Sequence, residues 1–125
     1  MNSERFAELV AEAVQSLPDE FRDLLYNVDV VATEEPTEKQ KQHLPKNSLL
    51  LGLYEGIPQT KRGTLYNLAL PDKITVFQKP IETICHNDDE IKTQIGKTVR
   101  HEIAHHFGIS DERLKELERE RQQYS

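Results

Sequence analysis

Five apolar residues, Ile91, Ile95, Val99, Ile103 and Phe107, recur at every fourth position, and His101 and His105 interlock with them at the same interval. A repeat of four sustained over seventeen residues fits a helix, where residues i and i+4 share a face, and is far longer than an ordinary strand. The spacing therefore predicts one long helix that buries the apolar stripe and turns both histidines the same way. Asp88, Asp89 and Glu90 stand ahead of the stripe, where the positive end of a helix dipole favours acidic groups. Gly108 follows it directly and can take the left-handed conformation that ends a helix.

The order of residues at the end of this helix carries chemistry. His101-Glu102-Ile103-Ala104-His105 places two imidazoles four apart, a spacing that lets both reach one metal ion. Glu102 is offset to the side, where it can bond a water beside the metal rather than the metal itself. After the return at Gly108, Asp111 is placed to be a third ligand, with Glu112 and its longer arm as the rival. Two nitrogens and one carboxylate leave one position of a tetrahedral zinc site open, as a catalytic site requires. A closed structural site would need a fourth protein ligand, typically a cysteine near the motif, and the single cysteine is Cys85.

Composition narrows the partners. A chain of 125 residues fits a single domain, residues 1–125, with one core. Its net charge of −6 argues against a nucleic-acid surface or an anionic membrane. No run of apolar residues is long enough to span a bilayer, and the first residues carry neither a basic nor an apolar leader region. One cysteine excludes an intrachain disulfide and suits a reducing compartment, so a cytoplasmic location is expected.

Ahead of the long helix the pattern is mixed. Phe6, Leu9, Val10, Ala13, Val14 and Leu17 have helical spacing, with Ser3 expected as the cap and Pro18 as the stop. Asp19 to Leu25 reads as a short second helical segment, and Val28 to Ala32 as a strand. The polar stretch from Glu34 to Asn47 is expected to be a solvated excursion. Leu49 to Tyr54, Gly63 to Leu70 and Ile74 to Phe77 read as three further strands, the last two joined as a hairpin through Pro71-Asp72. A charged helix from Asp111 to Gln122 closes the chain, with Leu114 and Leu117 as its buried points and Glu116–Arg119 as a surface pair.

With strands first and the His-Glu-x-x-His helix after them, the chain resembles the zincin metallopeptidases, and most closely the small bacterial zincin-like family of minimal zincins. The resemblance rests on Leu17–Phe21, Leu53–Pro58, Leu70–Ile74 with Val76-Phe77, and His101–Asp111. It implies an α+β fold in which a small mixed sheet is backed by an N-terminal helix, a long active-site helix and a C-terminal helix. It also implies a zinc site below the edge strand and hydrolysis of peptide bonds. The branch with a methionine turn beneath the metal is excluded, since the only methionine is Met1, and Asp111 stands where the longer motif has a third histidine.

The resulting expectation is a zinc-dependent peptidase with His101, His105 and Asp111 on Zn2+ and Glu102 as general base, passing the proton on to the leaving amine. An extended peptide or unfolded protein would add to a strand edge, with Gly63 to Leu70 as the expected edge. Tyr54, Tyr66, His86, His106 and Arg100 are candidates to steady the oxyanion. The bland reading of His106 is a partly exposed or core-edge histidine bonded to backbone, that of Cys85 a small buried hydrophobe, and that of His43 and His86 surface loop residues. The alternative function is a metal-binding regulatory or protein-interaction module on the same scaffold, with little hydrolysis; the presence of Glu102 favours the peptidase.

Overall fold

The computed structural model describes residues 1–56 and 71–124, with residues 120–124 by backbone alone. Three strands make one mixed sheet in the order β1 (Val28–Thr33), β3 (Asp72–Phe77), β2 (Gly52–Glu55). β1 lies parallel to β3, with Val30 opposite Ile74, and β2 lies antiparallel to it, with Tyr54 opposite Ile74. β3 lies between β1 and β2, and Ile74 through Phe77, which alternate between its two faces, are all buried. Ile74 and Val76 belong to the main core, and Thr75 and Phe77 point to the other face.

The expected strand Val28–Ala32 is observed, one residue longer, while the one expected at Leu49–Tyr54 is displaced to Gly52–Glu55. Both edges of β3 are filled, by β1 and β2. The extended run expected at 63–70, with its hairpin and its role as substrate edge, lies outside the described residues. Within those residues the strand at the sheet's edge beside the metal motif is β2.

Helices cover the core face of the sheet. α1 (Ser3–Gln15) buries Phe6, Leu9, Val10 and Ala13, the positions its spacing marks. Its cap is Asn2, one residue earlier than expected, because the Asn2 carboxamide oxygen accepts from the Arg5 N–H at 2.7 Å. α2 (Asp19–Leu24) follows, then β1. The polar excursion contains a one-turn helix, α3 (Glu38–Lys41), held by a capping box in which Thr37 and Gln40 each bond the other's backbone. Gln40 also donates to Glu55 at 3.1 Å and ties this turn to the end of β2.

α4 (Gln78–Ile84) continues directly from β3, where the sequence reading had no helix. Pro80 signals a break, yet it stands in the first turn, where its missing N–H leaves no helical bond unmade. α5 (Asp88–Phe107) is the long helix of the apolar repeat, capped by Asn87 accepting from the Glu90 N–H at 2.9 Å. Ile91, Ile95, Val99 and Ile103 are buried as the repeat requires. Phe107 departs from it and is 44% exposed, because the helix runs past the end of the core there. Gly108 ends α5 with φ +70°, and α6 (Asp111–Tyr124) begins three residues later. Leu114 and Leu117 are its buried points, and Glu116 takes Arg113 as its partner rather than Arg119. Among the described residues no helix is long and apolar enough to cross a membrane.

Candidate metal centre

The last two turns of α5 carry the motif. His101 and His105 stand one turn apart on an exposed face, with ring centroids 4.1 Å apart and planes tilted at 53°. The helical repeat alone brings them together, and four buried residues on the opposite side hold α5 so that this face stays outward. Two imidazoles so placed suit a borderline cation such as zinc as two of its donors.

Glu102 points elsewhere. Its Oε1 accepts the backbone N–H of Tyr54 at 3.0 Å, so the side chain leans across to β2 instead of joining the histidines. A carboxylate has a second oxygen, and Oε2 remains for a proton-transfer partner. The helix therefore sorts its motif into two donors on one side and a carboxylate between them and the sheet edge.

The third ligand is not assembled: among the described residues no three His, Cys, Asp or Glu side chains converge on one point. Asp111 and Glu112 both stand exposed in the first turn of α6. The Ser110 hydroxyl accepts the Arg113 N–H at 3.1 Å and thus caps that helix, which relieves Asp111 of the capping role an aspartate there could take. The residues present fit zinc as a two-histidine half-site, with the carboxylate on a separate helix across the Gly108 turn.

The candidates for the oxyanion separate clearly. The Tyr54 hydroxyl donates to Asp72 Oδ2 at 2.7 Å, and its ring stacks on His106 with centroids 3.8 Å apart and planes 12° apart. His106 is exposed, within the expectation for it, but it is held by stacking on Tyr54 and, among the described residues, not by a backbone bond. Phe107 meets both rings edge-on. Arg100 is engaged by Glu118 at 3.4 Å. His86 lies in the link before α5, roughly 20 Å along the axis from the histidine pair, and Tyr66 lies outside the described residues. His43 is exposed in a turn, as expected. Cys85 packs on the core edge, its thiol pushed above the usual range by burial and then by Glu90, so it is a thiol and not a thiolate near neutrality.

What the sequence did not reveal is the bond between Tyr54 and Glu102. It joins residues 48 apart, and its only local hint was the glycine at position 52 in an otherwise apolar strand. A Cβ on Gly52 would come 2.5 Å from Thr98 Cγ2 and 3.2 Å from the Thr75 carbonyl oxygen, so only glycine lets β2 lie this close to α5.

Comparison with curated proteins gives no match. A family model described as zincin-like metallopeptidase matches residues 25–121, a span that runs from the end of α2 through the sheet and α5 into α6. With most of its length matched and His-Glu-x-x-His standing on the helix beside β2, the chain belongs to the zincin-like metallopeptidase family.

Proposed function

We propose that this chain, as a single domain of residues 1–125, is a zinc-dependent metallopeptidase of a reducing, cytoplasmic compartment. His101, His105 and Asp111 would hold the ion, and Glu102 would be the general base. The observation that carries the reading is the placement of Glu102, next to the exposed histidine pair and bonded to the edge strand. Zinc at such a site supplies a Lewis acid that lowers the pKa of a water to about 7 and polarises the scissile carbonyl.

Glu102 takes the proton from the attacking water through Oε2 and returns it to the leaving amine, a role worth about 10²–10⁴-fold in rate. An extended peptide would add along β2, the edge strand beside the motif among the described residues, through main-chain hydrogen bonds other than that of the Tyr54 N–H, which Glu102 takes. The open surface around the histidines suits short or unfolded peptides.

One observation favours the second reading, a metal-binding regulatory or protein-interaction module: only two of the ligands are brought together among the described residues. Metal analysis paired with peptide-library cleavage separates the two. Zinc should bind at a stoichiometry near one, and His101→Ala or His105→Ala should abolish tight binding. Glu102→Gln should keep metal and fold while losing hydrolysis. Wild-type turnover by zinc-loaded Glu102→Gln would remove Glu102 from the mechanism, and an inert wild type would favour the module.

A further inference from the structure

We infer that β2 positions the general base: the Tyr54 amide orients Glu102, Gly52 sets the height of the strand over α5, and the Tyr54 side chain pins it there. The inference rests on Glu102 being the base. The parity of the strand places the amide. Leu51 turns its carbonyl to β3, where it accepts the Phe77 N–H at 2.9 Å, so odd-numbered residues here bond inward and even-numbered ones face out. Tyr54 therefore presents its N–H to α5, and Glu102 Oε1 meets it at 3.0 Å. With one oxygen fixed by a backbone donor, the carboxylate plane is set and the other oxygen is aimed. Orientation by a neighbouring donor is how supporting groups tune a reacting carboxylate.

Three contacts keep the donor in place. Gly52 lets the strand approach to where an added methyl would overlap Thr98 Cγ2. Thr98 cannot easily turn away, being buried in α5 with its hydroxyl accepting from Gln94 at 3.1 Å. The Tyr54 ring stacks on His106 of α5, and its hydroxyl is held by Asp72 at the start of β3. Strand, helix and sheet are thus tied at one residue, directly beside the motif. Gly52 and Tyr54 touch no reacting atom in this scheme and act through Glu102.

The first test needs neither metal nor substrate. In the 125-residue chain the Tyr54 amide proton should exchange at least about tenfold faster in Glu102→Ala than in wild type, because the carboxylate that accepts it at 3.0 Å is removed. An unchanged exchange rate overturns the inference. The second test is kinetic. Gly52→Ala should lift β2 by roughly 1 Å, the gap between 2.5 Å and an ordinary contact, and a shift of that size costs on the order of 10²-fold in kcat. Zinc affinity should stay within about twofold, since Gly52 and Thr98 are not among the proposed ligands. Adding Thr98→Ala makes room for the new methyl and should restore kcat to within about tenfold of wild type. A folded Gly52→Ala protein with wild-type kcat overturns the inference while leaving the peptidase reading intact. Wild-type protein that cleaves no peptide overturns the peptidase reading and the base assignment with it.

Discussion

α1 docks on α5 through Phe6, Leu9, Val10 and Ala13, all buried, whereas α6 reaches the same core with Leu114 at 9% and Leu117 at 7% exposure. Both helices are amphipathic, and both add an ion pair to α5: Arg5–Asp88 from α1 and Glu118–Arg100 from α6. The difference is apolar area. Hydrophobic burial scales with area removed from water, so α1 is part of what makes the domain fold, while α6 is fastened to a domain already formed. The contrast bears on function, because the histidines ride on the firmly held α5 and the expected third ligand, Asp111, begins the lightly held α6. A metal site divided between these two elements is half built by the core and half dependent on where α6 rests.

The largest effect should follow from breaking the strong side. Phe6 is fully buried, and Phe6→Ala should cost about 3–5 kcal/mol of stability in denaturant unfolding, through lost transfer energy and the cavity left behind. A loss below about 1 kcal/mol would mean that α1 is no more integral than α6.

Next comes the ligand. Asp111→Ala should weaken zinc by more than the 10–100-fold typical of a lost supporting partner, and by more than Glu112→Ala does. Both carboxylates are exposed in the first turn of α6, and Ser110 already caps that helix. Zinc should also slow amide exchange across residues 111–119 in wild type and not in Asp111→Ala, because coordination would add a tie that two leucines do not supply. Equal zinc affinity for Asp111→Ala and wild type, read by competition with a chelator, would pass the role to Glu112.

These two experiments also mark where the sequence was readable. α1 and α5 were legible because each repeats its apolar residues over several turns, a length that suits a helix and leaves one face to bury. The histidine pair was legible for the same reason, being fixed by the helix that holds it. Phe107 broke the pattern only because α5 outruns its core. α3 was missed although Thr37 and Gln40 form a capping box, since a single polar turn carries no periodicity. The place of β2 beside β3 was not legible at all: strand order is decided by pairings distant in sequence, here Gly52 with Val76 and Val30 with Ile74. Asp111 falls in the same class, because its reach depends on the path after Gly108.

A smaller effect should come from the weak side. Leu117→Ala should cost about 2 kcal/mol, the low end for a buried leucine, since the site lies at the rim and can partly relax. Amides of α6 should exchange faster than those of α1 even in wild type, as expected of an element with few buried apolar contacts. Uniform protection across both helices would dissolve the contrast.

The smallest effect concerns the ion pairs. Glu118–Arg100 spans 3.4 Å with side chains 35% and 13% exposed, while Arg5–Asp88 spans 3.3 Å with 41% and 54% exposed. Screening by water weakens a pair as its groups emerge, so the α6 pair should matter more than the α1 pair despite the weaker packing around it. Glu118→Gln should cost about 0.5–1 kcal/mol at low salt, in the upper part of the range for exposed pairs, and less as salt is raised. Arg5→Gln should leave the unfolding midpoint where it was, since α1 is held by its apolar face. If the two substitutions instead had equal effects with equal salt dependence, exposure would not be what separates the pairs, and among the described side chains of α6 the weight would fall on Leu114 and Leu117.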